Sequence, residues 1–221
     1  MPELQLLQLS ENANLGTMGT SLTPLQAMVG LRTLELNNAG ISTVADMGNL
    51  TQLNKLELDR NVALGEANED FAEIGALANL SILSINESAL TTISGLSGLA
   101  NIAHLYLDNN RLTDESLSAI ADMSTLSTLS LNNNELTVVN ASIADISSLN
   151  NVSLRDNSIA DFSPLLDNPS FAPAQLVIYG NLDNAFGGSA TAEEKLTWCA
   201  AQQPVFEALE LRGTLVVDDC D

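Results

Sequence analysis

One nine-residue pattern, L-x-x-L-x-L-x-x-N, recurs along nearly the whole chain. It reads LQLLQLSEN from Leu4, LRTLELNNA from Leu31, LNKLELDRN from Leu53 and LSILSINES from Leu80. It continues as IAHLYLDNN from Ile102, LSTLSLNNN from Leu126, LNNVSLRDN from Leu149 and, degenerate, PAQLVIYGN from Pro173. Successive copies start 27, 22, 27, 22, 24, 23 and 24 residues apart. The alternation exposes a longer unit: Leu4, Leu7, Leu9, Asn12, Leu15 and Gly16 return 49 residues later as Leu53, Leu56, Leu58, Asn61, Leu64 and Gly65. A unit this short cannot bury its apolar face alone, so the copies must stack on one another.

Each position has a physical reason. The x-L-x-L core has period 2, so it predicts a short strand with leucines inward and their neighbours outward. Stacked coils place these strands in parallel, about 4.8 Å apart. The closing asparagine stands where the chain must turn, and its amide can pair backbone groups that would otherwise be buried unsatisfied. Six copies keep it, as Asn12, Asn61, Asn110, Asn134, Asn157 and Asn181; Ala39 and Ser88 interrupt the ladder, and turn hydrogen bonds are expected to be lost there.

These residues resemble the leucine-rich repeat family over roughly residues 3–184. The resemblance implies an α/β fold: a right-handed, curved leucine-rich repeat solenoid with a parallel concave β-sheet and a mixed helix/3-10 convex side. The 27-residue coils leave room for a convex helix. In the first, Ser21 is a good N-cap for Leu22, Leu25 and Met28; in the second, Asp70 precedes Phe71, Ile74 and Leu77. Residues 113–123, with Leu117, Ile120 and Met123 inward, read likewise as helix. The shorter coils have room only for extended or 3-10 segments. Residues 93–102 and 159–165 resemble the convex segments of bacterial internalin-type repeats.

The array is expected to span residues 1–184, and a C-terminal capping segment residues 185–221. Thr191 with Glu194 forms a capping box for a helix to about Ala201. Pro204 is expected to start a second helix, Gly213 to end it, and residues 214–217 to form a last strand. Trp198, Phe206, Leu209 and Leu211 are candidates to cover the open end of the stack, which a solenoid needs. Cys199 and Cys220, the only cysteines, are too few for zinc without a nearby histidine, so a disulfide is expected. It would resemble the stapled C-terminal caps of secreted leucine-rich repeat proteins. At the other end nothing precedes Leu4 to cover the first coil, so natural sequence is expected upstream.

Composition narrows the function classes. Seven Lys and Arg against 28 Asp and Glu give a formal net charge of −21, which repels nucleic acid and anionic membrane surfaces. The sequence has no run of 18 apolar residues, so membrane insertion is not expected, and no secretory leader is visible. A disulfide implies an oxidising compartment, hence an extracellular or cell-surface location for a mature chain. Catalysis reads poorly: there is one histidine, His104, and no nucleophile elbow, zincin or phosphate-loop motif. A Ser-His-Asp set drawn from Ser84, Ser130, His104 and Asp108 is the one arrangement the repeat could bring together. No cofactor or metal is expected; Asp and Asn ladders could attract calcium, but no calcium-loop motif occurs.

The outward strand positions are free to vary, and they define the candidate binding face. Its central residues are His104, Tyr106 and Asp108, with Lys55, Glu57 and Asp59 on one side and Arg155 and Tyr179 on the other. Aromatics among short polar residues are typical of recognition surfaces. The family resemblance implies a non-catalytic module, monomeric, that recognises a protein or glycan through the concave face of a secreted or surface adhesin-type protein. The alternative is a structural spacer without a specific ligand.

Overall fold

A computed structural model describes residues 3–15, 22–66, 71–188 and 190–220. Each copy of the pattern supplies one three-residue strand: β1 (Leu6–Gln8), β2 (Thr33–Glu35), β3 (Lys55–Glu57), β4 (Ile82–Ser84), β5 (His104–Tyr106), β6 (Thr128–Ser130), β7 (Asn151–Ser153) and β8 (Gln175–Val177). A ninth, β9 (Leu215–Val217), follows the last helix. All neighbours in the sheet pair in parallel and in sequence order, β1 to β9. The central leucines are in register as Leu7, Leu34, Leu56, Leu83, Leu105 and Leu129, then Val152, Leu176 and Val216. From Leu31 to Leu182 the pattern leucines are sealed from solvent, together with Phe71, Phe162 and Phe171. The architecture is the α/β leucine-rich repeat solenoid that the repeat implies.

The return path on the convex side departs from the reading above. Residues 114–120 form a 3-10 segment, as do residues 23–27, where an α-helix was expected. Among the described residues, of the two 27-residue coils the second alone turns α-helical, in α1 (Val62–Glu66) and α2 (Ala72–Gly75); a further short helix, α3 (Ala141–Ala144), lies in a later coil. The cause is lateral room. A full α-helix is about 10 Å across, whereas strands repeat every 4.8 Å or so, and the slimmer 3-10 turn fits that stacking better. The shorter coils use 3-10 turns at Ser94–Gly98 and Ser163–Leu166, within the segments expected to do so. Ser21 and Asp70, expected as N-caps, and Gly16 lie outside the described residues.

Two polar ladders close the turns. Along the first, each asparagine from Asn61 onward donates to the carbonyl just past its own strand and to that of the preceding coil, while its oxygen accepts backbone N–H from the preceding coil; among the described residues, Asn12 bonds only within its own coil. Asn110 Nδ2 thus reaches Leu107 O at 3.0 Å and Ile85 O at 2.8 Å, and Oδ1 takes Ser88 N and Leu90 N. At Ser88 the expected loss is smaller than the substitution suggests: its hydroxyl donates to Leu58 O and Asn86 O and accepts from Asn61 N. Ala39 has no such group, although its own N–H is taken by Asn61 Oδ1. Just before each ladder residue the backbone enters the left-handed region, at Glu11, Asn38, Arg60, Glu87, Asn109, Asn133, Asp156 and Gly180.

The C-terminal segment is pinned to the last coils. After α4 (Asn181–Ala185) comes α5 (Ala192–Leu211), a single helix with Pro204 inside it, not two helices. A proline in a helix interior removes a hydrogen bond and crowds the preceding turn. Here Trp198, Gln202, Val205 and Phe206 are buried on both sides of it, and that packing holds the helix through. Trp198 Nε1 donates to Ala160 O at 2.7 Å, and Phe162 N donates to Gln202 Oε1 at 2.9 Å. Phe162, Trp198 and Phe206 cluster with ring centroids 6.0–6.3 Å apart. Arg212 donates to the carbonyls of Leu166, Asn168 and Phe171. Leu211 is no part of the cover, being 90% exposed. Cys199 and Cys220 are disulfide-bonded, tying α5 to the segment after β9.

Candidate binding face

Sheet register assembles the outward side chains into columns. The first runs Leu6, Thr33, Lys55, Ile82, His104, Thr128, Asn151, Gln175; the second runs Gln8, Glu35, Glu57, Ser84, Tyr106, Ser130, Ser153, Val177. The third, just past the strands, is Ser10, Asn37, Asp59, Asn86, Asp108, Asn132, Arg155 and Tyr179.

Most of the third column is a second ladder. Beyond the strand end, a side-chain oxygen in one coil accepts the backbone N–H of the equivalent residue in the next. Ser10 Oγ takes Asn37 N at 3.1 Å, Asn37 Oδ1 takes Asp59 N at 2.8 Å, and Asp59 Oδ1 takes Asn86 N at 2.8 Å. Asn86 Oδ1 then takes Asp108 N, Asp108 Oδ1 takes Asn132 N, and Asn132 Oδ1 takes Arg155 N. Asp59 and Asp108 also accept Ser84 Oγ and Ser130 Oγ, each at 2.7 Å. Two candidate binding residues, Asp59 and Asp108, are therefore engaged in holding the coils. The same bonds bear on the Ser-His-Asp arrangement: both hydroxyls donate to carboxylates, and His104 Nδ1 is buried with no hydrogen-bond partner. His104 and the serines are not linked as nucleophile and base.

The two halves of the face differ in chemistry. On the N-terminal half, Lys55 Nζ lies 2.7 Å from Glu57 and 3.2 Å from Glu35. Gln8 donates to Glu35, and Asn37 to Glu57. The hydrogen bond to Glu57 raises the Lys55 ammonium above the ordinary lysine value, against the opposing effect of burial. For Glu57, burial pushes the carboxyl up, but the bonds from Lys55 and Asn37 together outweigh it and hold it below the ordinary value. One ammonium thus serves two carboxylates, and the cluster keeps a net negative charge.

From β5 onward the first column is uncharged and open, and the charged outward residues are Asp108, held in the ladder, and Arg155. Among the described residues, the side chains of His104, Tyr106, Thr128, Asn151 and Gln175 make no internal hydrogen bond. They are half-buried. A shallow depression of about 110 Å³ lies here, lined by Tyr106, Thr128, Leu129, Ser130, Asn151, Val152, Ser153, Gln175 and Val177. At its far side Arg155 Nη1 donates to Tyr179 Oη at 2.6 Å, with the guanidinium 5.5 Å from that ring's centroid. That hydrogen bond raises the Arg155 guanidinium above its ordinary value. Thr128, Asn151 and Gln175 escaped the sequence reading because nothing in a single copy marks them; their signal is that three consecutive coils carry neutral amides or hydroxyls in one column. No group of three or more His, Cys, Asp or Glu among the described residues is placed to hold a metal ion.

Nine parallel strands, an asparagine ladder at most of the turns and a variable outward face are the architecture of a leucine-rich repeat solenoid. Residues 101–159 match the family model described as leucine rich repeat. Among solved structures, internalin C2 of Listeria monocytogenes is 29% identical, with a TM-score of 0.52, over 70% of this chain and 74% of that one. A leucine-rich repeat protein of Leptospira interrogans is 23% identical, with a TM-score of 0.63, over 80% of this chain and 45% of that one; this likeness is one of fold. A search of curated proteins gives no match. Among the described residues no helix is long and apolar enough to cross a membrane.

Proposed function

We propose that the chain is a non-catalytic recognition module that holds a protein or glycan partner on its concave face, as part of a secreted or surface adhesin-type protein. One observation carries the reading. His104 and Tyr106, the aromatic pair at the centre of the face, point outward with no internal hydrogen bond, while their acidic neighbours are tied into the coil ladder. Fold requirements account for the inward leucines and both ladders, and leave this pair unexplained. Tyr is also among the residue types that anchor interfaces.

Within this reading the flanks of the site are Lys55, Glu57 and Asp59 on one side, and Arg155 and Tyr179 on the other. Residues 1–184 form the recognition array and residues 185–221 its cap. The disulfide supports an extracellular location, since cytosolic thiols are kept reduced. The module acts as a monomer, needs no cofactor, and does not engage nucleic acid.

The test is retention of cell-surface extract on the immobilised chain, compared with the His104→Ala/Tyr106→Ala double variant. Retention weakened at least tenfold in the double variant, equivalent to about 1.4 kcal/mol, is the expected result. Undiminished retention removes the site from β5. A spacer without a ligand would retain nothing at physiological salt.

A further inference from the structure

We infer that the C-terminal half of the concave face is built for an uncharged polyhydroxylated ligand, a neutral oligosaccharide. The inference rests on the recognition reading above and names the ligand class of that same face.

The argument starts from unused hydrogen-bonding capacity. Most other polar side chains on the face are paired, Gln8, Lys55 and Asn37 with glutamates and Ser84, Ser130 and Ser153 with the ladder; Thr33 and Tyr106 are not. The row His104, Thr128, Asn151, Gln175 is the one unbroken run of unpaired polar side chains, occupying four consecutive coils in register. Polar groups that are half-buried and unpaired gain most from a ligand that completes them. These are an imidazole, a hydroxyl and two primary amides. Each can both donate and accept, and none has a fixed charge when the imidazole is neutral. A ligand that matches such a row must itself present donors and acceptors side by side without net charge. Sugar hydroxyls do this.

Three further observations separate this ligand from others. The net charge of −21 disfavours sulfated or uronate polymers. The row itself carries none of the Trp, Tyr, Met or Arg anchors of a protein interface; Tyr106, Arg155 and Tyr179 stand outside it. Beside it, Tyr106 and Val177 border the depression and offer apolar surface for the carbon face of a sugar ring. Coils repeat at about 4.8 Å, so the four rungs span roughly 14 Å, longer than a single sugar ring.

The experiment applies the full 221-residue chain to an array of neutral hexose and N-acetylhexosamine oligosaccharides, with sulfated and uronate oligosaccharides alongside. Binding to one or more neutral series is expected, falling at least tenfold in Asn151→Ala/Gln175→Ala and unchanged in Leu196→Ala, on the exposed side of the cap helix α5. The near-isosteric Asn151→Asp/Gln175→Glu variant, which exchanges amides for carboxylates on an outward face, should lose binding equally while keeping the native circular dichroism spectrum. No signal on any neutral series, signal on the anionic ones only, or signal indifferent to these variants overturns the inference. The extract assay keeps the two readings apart. A blank array with extract retention still dependent on His104 and Tyr106 leaves the recognition face standing with a protein partner. Retention independent of them removes both.

Discussion

At the residue scale, similar amino acids do different work one position apart. Asn110 is a turn residue, Asn109 adopts left-handed backbone, and Asp108 bridges coils. The first role is legible in the sequence, because a motif position repeated in six copies needs a structural cause. The second ladder is not. Period-2 alternation says that Asp59 and Asp108 point outward, but only the register of the coils reveals that a backbone N–H of the next coil waits within reach of each. Asn86 and Asn132 perform the same bridge in neighbouring coils, so an amide oxygen suffices. Asp108→Asn is therefore expected to change stability by less than about 0.5 kcal/mol, whereas Asp108→Ala, which strands Asn132 N and Ser130 Oγ, should cost about 2 kcal/mol in chemical denaturation. Equal losses in both variants would mean that the charge, not the hydrogen bond, holds the coils.

At the scale of the element, strands were predictable and the return path was not. A strand needs two inward aliphatic side chains, and the sequence displays them in every copy as Leu, Ile or Val. The convex segment is set by how closely its neighbours approach, a property of the stack. Gly75 in α2 shows this: a Cβ there would lie 2.0 Å from Gly95 O, and one on Gly98 would lie 2.5 Å from Gly75 O. Neither backbone oxygen can rotate away, so Gly75→Ala is expected to cost at least about 2 kcal/mol and to lower the thermal midpoint, despite alanine's better helix propensity. A neutral or stabilising result would show that the two segments can move apart freely. The cap follows the same logic. Pro204 reads as a boundary in sequence, but burial on both sides of it carries α5 through. The disulfide joins residues 21 apart, and its removal by Cys199→Ser/Cys220→Ser should cost roughly 3 kcal/mol in the loop-entropy view. Equal midpoints for the double variant and the parent would show that the aromatic cluster and Arg212 hold the cap unaided.

For the whole molecule, the repeat reveals the solenoid but only partly reveals where it could bind. The sequence marks His104 and Tyr106 as chemically unusual, and both stand on the open part of the face. It does not separate the N-terminal half, where Lys55 pairs with glutamates, from the C-terminal half, where the first column is uncharged and unpaired, because pairing depends on which side chains share a rung. The central claim is that this second half, from β5 to β8, is where a partner sits. Hydroxyl-radical footprinting of the chain with and without retained surface ligand tests it most directly, since tyrosine, histidine and tryptophan rings report their own accessibility. Loss of labelling at His104 and Tyr106, with Phe186 on the cap unchanged, is the predicted result. Unaltered labelling at both, with protection appearing at Phe186 or along the convex segments, would contradict it.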